Sequence, residues 1–236
     1  YRMNEKIQAL ANHLTYQGRL ECGTEGVAQR TVGLRNKLFD NTEPEWLTKF
    51  MDGSFVENSI LFLNTDTLDN AMETVCDTGL YNPGEADIVQ KLCKLTEHFS
   101  IYDKDQTSGT SGTEKSDMNS SKVSLGIIAP YRAQVMHLRK KLSTTLINVD
   151  VNTVDQFQGQ DKDVIIYSCT RSTPRKLNKS DGGNVGIEMK GRGDILCDKR
   201  RLNVATTRAK CKLILLGNLS LIHIRRCRRI ERCRSR

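Results

Sequence analysis

The chain has 236 residues, 37% apolar and 27% charged, the proportions of a globular domain with enough apolar material for one substantial core. No stretch of about 18 or more apolar residues occurs, and no basic leader precedes an apolar core at the N-terminus, so neither a transmembrane helix nor a membrane partner is expected. The formal charge of +8 invites a nucleic-acid reading, but residues 225–236 hold +6 of it and leave +2 for the rest, so strand binding has to come from placed groups.

In chain order, Asn4 is placed to cap a helix whose Ile7, Leu10, Ala11 and Leu14 form one stripe and which Gly18 ends. The segment from there to about Val56 is mixed and polar. Ile60 to Leu63 predicts a strand, and Asn82-Pro83 supplies a cap and first-turn proline for a helix buried through Ile88, Val89, Leu92, Leu95 and Phe99. Residues 103–122 are Ser, Thr, Gly and charge with almost nothing to bury, which predicts a flexible insertion. Within it, Gly109 to Ser116 superficially matches a phosphate loop. Glu114 stands where that loop needs glycine, and no strand leads in.

Leu125 to Ala129 predicts a strand, Pro130 the start of a helix burying Val135, Leu138 and Leu142, and Val149 to Asn152 a further short strand. Val164 to Thr170 and Lys212 to Gly217 are apolar runs suited to strands covered on both faces, separated by a Gly-, Lys- and Asn-rich stretch, 172–197, expected to be a mobile loop. Between them, Asp198 to Lys210 predicts a helix: Leu202, Ala205 and Ala209 fall on its buried stripe, and Arg201 and Arg208 lie two turns apart on one side. Strands alternating with helices predict an α/β domain built on a parallel sheet.

Eight cysteines, at 22, 76, 93, 169, 197, 211, 227 and 233, include no C-x-x-C pair and no histidine at zinc-ligand spacing, so they are expected as reduced thiols and no metal site is assigned. The histidines at 13, 98, 137 and 223 form no constellation.

Four blocks carry a family signature in a fixed order. Arg200-Arg201-Leu202-Asn203-Val204-Ala205-Thr206-Thr207-Arg208-Ala209-Lys210 resembles motif VI of superfamily 1 helicases. Tyr1-Arg2-Met3-Asn4 resembles the YRM block that opens the second half of such a motor. Gly126 to Gln134 resembles the motif IV region, and Val151 to Asp163, with Gln156, Gly159 and Asp161, resembles motif V. Within superfamily 1B the likeness is greatest to the DNA replication ATP-dependent helicase/nuclease family, which trims flaps during Okazaki-fragment maturation. It rests on YRMNEKIQALANHLTYQGRLECG, LFLNTD and RRLNVATTRAKCKLILLG.

The resemblance implies a RecA-like P-loop NTPase fold over residues 1–221, the second helicase half without a Walker A lysine, followed by a basic tail, 222–236, that is disordered or non-native. A chain opening inside a family motif is expected to be part of a longer one, in which a first RecA-like domain holds ATP with Mg2+ and a nuclease part carries an iron-sulfur cluster. The implied roles are Arg208 as arginine finger and Arg2 as second γ-phosphate contact. Tyr1, Asp161, Gly159 and Arg201 would lie at the nucleotide, with Asp161 on the ribose. Thr153, Tyr131, Arg132 and Gln134 would lie along single-stranded DNA. The implied activity is 5′ to 3′ unwinding of flap DNA in replication and repair, in the nucleus with mitochondria as a second compartment. The first RecA-like domain and a single-strand-binding protein would be its partners. An RNA helicase of the same branch and a non-motor nucleic-acid-binding module are the alternatives.

Overall fold

The computed structural model describes residues 2–34, 47, 50–102, 123–143, 149–172 and 199–219. Tyr1, the 103–122 insertion, the 172–197 loop beyond Ser172 and the 222–236 tail therefore lie outside the described residues. The first half contains α1 (Glu5–Ala11), continuing as a π-helical segment (Asn12–Tyr16), then α2 (Glu25–Gln29), β1 (Thr31–Leu34), a 3-10 turn (Val56–Ser59), β2 (Ile60–Asn64), β3 (Thr74–Cys76), β4 (Gly79–Tyr81), α3 (Pro83–Thr96) and β5 (Phe99–Tyr102). The second contains β6 (Leu125–Ala129), α4 (Arg132–Leu142), β7 (Val149–Thr153), β8 (Lys162–Ser168), α5 (Lys199–Thr206) and β9 (Ala209–Gly217).

Five of these strands form one sheet in the order β2-β9-β8-β6-β7, with every neighbouring pair parallel. A parallel sheet must be covered on both faces, and the apolar run of β8 shows how. Val164 and Ile166 enter the core beneath α3, α4, β1 and β5, whereas Ile165 and Tyr167 enter the opposite core beneath α1, α5 and the segment after β7. All four side chains are fully buried, each aliphatic one contributing roughly 1.5–3 kcal/mol from apolar burial. The result is the three-layer α/β architecture of a RecA-like domain. No described helix is long and apolar enough to cross a membrane.

The caps form where side-chain chemistry calls for them. Asn4 Oδ1 accepts the Ile7 N–H at 3.2 Å, and Asn82 Oδ1 accepts the Glu85 N–H at 3.0 Å with Pro83 in the first turn. After Tyr16 the chain reverses through Gln17 and Gly18, at φ of 54° and 83°.

Three expectations need correction. Phe99 is not on the preceding helix, which ends at Thr96; it opens β5 and pairs with Leu34 in a two-stranded antiparallel ribbon. That ribbon's other strand, Thr31–Leu34, lies in the stretch read as mixed and polar, where Val32 is fully buried. The last helix stops at Thr206, so Ala209 belongs to β9 and Arg208 sits in the intervening turn, not on a helical face shared with Arg201. Thr206 and Thr207 hydroxyls return to the carbonyls of Leu202 and Val204, while Lys162 N–H takes the Arg208 carbonyl, so the chain leaves the helix and joins the sheet. The strand expected from Lys212 to Gly217 forms as the greater part of β9, with Lys212 fully buried: its Nζ donates to the Phe50 carbonyl at 2.6 Å and lies 4.1 Å from the centre of the Phe50 ring. Burial lowers its pKa to about 7.

A buried polar network ties the carboxyl ends of the strands to the helices. Ser168 Oγ donates to Glu85 Oε2 at 2.5 Å and accepts from Gln134 Nε2 at 2.9 Å, and Gln134 Oε1 accepts the Asn82 N–H at 2.8 Å. Thr170 N–H also donates to Glu85 Oε2, at 2.9 Å. Burial raises the Glu85 carboxyl from 4.5 to about 7 against these two donors. The native state thus binds the extra proton between those values, and stability falls as pH rises through that window by roughly 3 kcal/mol, then stays low above it. Glu85→Gln should abolish this component. The stability difference, variant minus wild type, should grow by that amount between pH below 4.5 and pH above 7 in urea unfolding, and a pH-independent difference would count against it. Gly126 supplies a second test. A Cβ there would stand 2.5 Å from the ring tip of the fully buried Phe157, so Gly126→Val should destabilise by about 1–3 kcal/mol in the same assay.

Candidate functional site

Because the strands are parallel, residues that precede them gather at one edge of the sheet and residues that follow them at the other. Asp161 immediately precedes β8 and Arg208 immediately precedes β9, and the register pairs Lys162 with Ala209. The two side chains are therefore neighbours across the amino edge. Asp161 Oδ1 is 3.3 Å from Arg208 Nη1.

Arg2 reaches the same place from the other end of the chain. Asn4, fully buried, donates its backbone N–H to the Lys210 carbonyl at 2.9 Å, and its amide nitrogen lies 2.9 Å from the Cys211 carbonyl and 2.7 Å from Ser59 Oγ. This fixes the residues before α1 against the start of β9. Arg2 Nη1 then forms an ion pair with Asp161 Oδ2, so both oxygens of one carboxylate meet a guanidinium.

The guanidiniums of Arg2 and Arg208 border an open cavity of about 530 Å³, with Met3, Tyr16, Leu20 and Thr207 completing its lining. Arg208 is held from behind: Nε donates to the Val204 carbonyl and Nη2 to Thr207 Oγ1, each at 3.3 Å. Its side chain is 14% exposed against 49% for Arg2. Burial lowers the Arg208 pKa, Asp161 opposes that shift and Arg2 adds to it. Two cations on one concave surface, sharing a single counter-charge, suit an anion with several acceptor oxygens. Tyr16, which no motif reading selected, enters the cavity because the π-helical segment carries it there; its hydroxyl accepts from Asn203 of α5 at 3.0 Å.

At the opposite edge, the register pairs Ala129 with Thr153, so the residues after β6 and the end of β7 are adjacent. Tyr131 caps α4 in extended conformation, Arg132 is exposed at its first turn, and Thr153 Oγ1 lies 3.3 Å from Gln156 Oε1. Gln134, expected beside them, is fully buried in the network with Asn82 and Ser168 and presents no group to a strand. Its position one turn after the proline gave no warning, since the inward face of α4 is decided by packing on β8.

The remaining sequence candidates occupy neither cluster directly. Arg201 Nη2 is 3.5 Å from Asp155 Oδ2 on the outer side of α5. Gly159, at φ of 86°, has open space where a Cβ would stand, so its conformation, not crowding, requires glycine. The stretch Val154 to Asp161 joins the two edges, anchored at its start by buried Val154 and midway by buried Phe157. With a rise of about 3.3 Å per residue, strands of this length separate the edges by roughly 20 Å.

Residues 1–220 match the family model described as AAA domain. The chain is 40% identical over 223 residues to the DNA replication ATP-dependent helicase/nuclease DNA2 of Homo sapiens, covering 92% of this chain and 18% of that protein. It is 32% identical over 228 residues to the protein of that name from Schizosaccharomyces pombe, covering 94% and 14%. It is also 32% identical over 218 residues to the DNA replication ATP-dependent helicase/nuclease JHS1 of Arabidopsis thaliana, covering 92% and 13%. The chain thus spans less than a fifth of the length of these relatives. With a parallel sheet of RecA-like order and a family match running from its first residue through β9, the chain belongs to the AAA domain family.

Proposed function

We propose that this chain is the second RecA-like half of an ATP-dependent DNA helicase/nuclease that acts on single-stranded DNA flaps with 5′ to 3′ polarity in replication and repair, in the nucleus and in mitochondria as a second compartment. The observation that carries the proposal is the pair Arg208 and Arg2 on one open cavity at the amino edge of the sheet. Similarity to helicase/nucleases along more than nine-tenths of the chain supports the same reading.

The cavity suits the terminal phosphate of ATP presented by a first RecA-like domain. Arg208 donates its planar fork to the phosphate oxygens, and Arg2 adds a second, more exposed cation. Charge that develops on the transferred group is thereby stabilised across the interface, the part an arginine finger plays in phosphoryl transfer. ATP supplies the phosphoanhydride whose cleavage drives strand movement. Mg2+ is assigned to the first domain in this reading, and an iron-sulfur cluster to a nuclease part. Tyr1, preceding Arg2, is assigned to the nucleotide, whereas Gly159 and Arg201, outside the cavity lining, are not.

At the carboxyl edge, Tyr131, Arg132 and Thr153 form the grip on single-stranded DNA. The Val154–Asp161 crossover begins at that grip and ends at the carboxylate bonded to Arg208, which provides a mechanical route between strand and nucleotide. A single-strand-binding protein is a further partner in this scheme.

In the full-length protein, Arg208→Ala should lower ATP turnover by roughly 10³- to 10⁵-fold while single-strand affinity persists. Turnover close to wild type in a steady-state phosphate-release assay would remove the finger from its role. Arg132→Ala should weaken binding of a single-stranded oligonucleotide and reduce the slope of log affinity against log salt by about 0.7, whereas Thr153→Ala should weaken binding without changing the slope. Fluorescence-anisotropy titrations at several salt concentrations check both.

A further inference from the structure

We propose that Asp161 is a positioning residue, holding Arg208 and Arg2 side by side at the cavity mouth so that both guanidiniums meet one phosphate. This rests on the nucleotide reading above and names how that site is assembled. The geometry is the argument. Both carboxylate oxygens are occupied, Oδ1 by Arg208 Nη1 at 3.3 Å and Oδ2 by Arg2 Nη1, and the carboxylate is 15% exposed.

The backbone prepares this arrangement. Lys162 N–H donates to the Arg208 carbonyl at 3.0 Å, so the peptide after Asp161 is bonded to the residue whose side chain Asp161 engages. A short side chain then suffices to span the gap between adjacent strand starts. Without that carboxylate, two cations lining one cavity would repel, and Arg2, the more exposed, would be free to swing into solvent. Arg208 would keep the Val204 carbonyl and Thr207 Oγ1, but neither is charged and neither reaches Arg2. Asp161 therefore holds together one arginine from before β9 and one from before α1.

A positioning role and direct contact with the sugar of ATP make opposite predictions. In the full-length protein, Asp161→Asn should lower kcat by about 10²-fold, the scale of a misplaced catalytic group, with KM for ATP nearly unchanged. Selectivity for ATP over the analogue lacking both ribose hydroxyls should stay at the wild-type value. Combined with Arg208→Ala, Asp161→Asn should cost little further, because the two act as one unit. Asp161→Glu, which keeps the charge, should recover most of kcat and guards against a folding defect in the Asn variant. A raised KM with kcat retained, together with loss of ribose selectivity, would overturn the inference in favour of a sugar contact. Normal kcat in Asp161→Asn alongside a dead Arg208→Ala would overturn the inference alone. Turnover surviving Arg208→Ala would overturn the finger assignment and this inference with it.

Discussion

The adjacency of the first residues of β8 and β9, pinned by Asn4, is the constraint on which the site depends. Three stretches distant in the chain, two of them 47 residues apart, have to converge for Arg2, Asp161 and Arg208 to meet, and none of their side-chain contacts could enforce that convergence. Backbone hydrogen bonds do: the Arg208 carbonyl accepts from Lys162, and the Lys210 carbonyl accepts from Asn4. Asn4 is buried with its amide against Cys211 and Ser59, so a polar side chain is committed to the interior and every one of its local partners must be in place. The partly buried ion pairs then need only orient the guanidiniums within a frame already set.

The sheet keeps two tasks apart. At its amino edge the polar groups face an open cavity and carry charge. At its carboxyl edge, beneath Tyr131 and Arg132, the polar groups are sealed: Glu85, Ser168, Gln134, Asn82 and Thr170 are bonded to one another in the interior, with both donors to Glu85 on Oε2 and none of the described residues on its buried Oε1. The first cluster presents two guanidiniums to an open cavity, whereas the second acts as a brace that fixes α3 and α4 on β8. This difference explains why two residues three apart on one helix start, Tyr131 and Gln134, have different fates.

Much of the fold was legible because its signals are local. The caps at Asn4 and Asn82, the reversal at Gln17-Gly18 and the apolar runs of β6 and β8 follow from side-chain geometry and spacing, and each appears where those rules place it. Phe99 and Ala209 were misassigned for one shared reason: apolar residues just beyond a helix continue its stripe by count, yet a strand partner captures them. Lys212 was hidden by its apolar neighbours, since only the carbonyl of Phe50 and two aromatic rings make its burial tolerable.

For the site, the motif resemblance alone nominated the candidates: Arg2 and Arg208 as cations toward a phosphate, Asp161 as an acceptor for the ribose, and Thr153 and Tyr131 toward single-stranded DNA. Tertiary structure alone decided how they combine. It turned Arg208 off the helical face of Arg201, spent both oxygens of Asp161 on guanidiniums, brought Tyr16 into the cavity and drew Gln134 inside. The physical reason is that residue type is a property of one position, while hydrogen-bond partners and burial depend on strand register, which is set between segments distant in the chain.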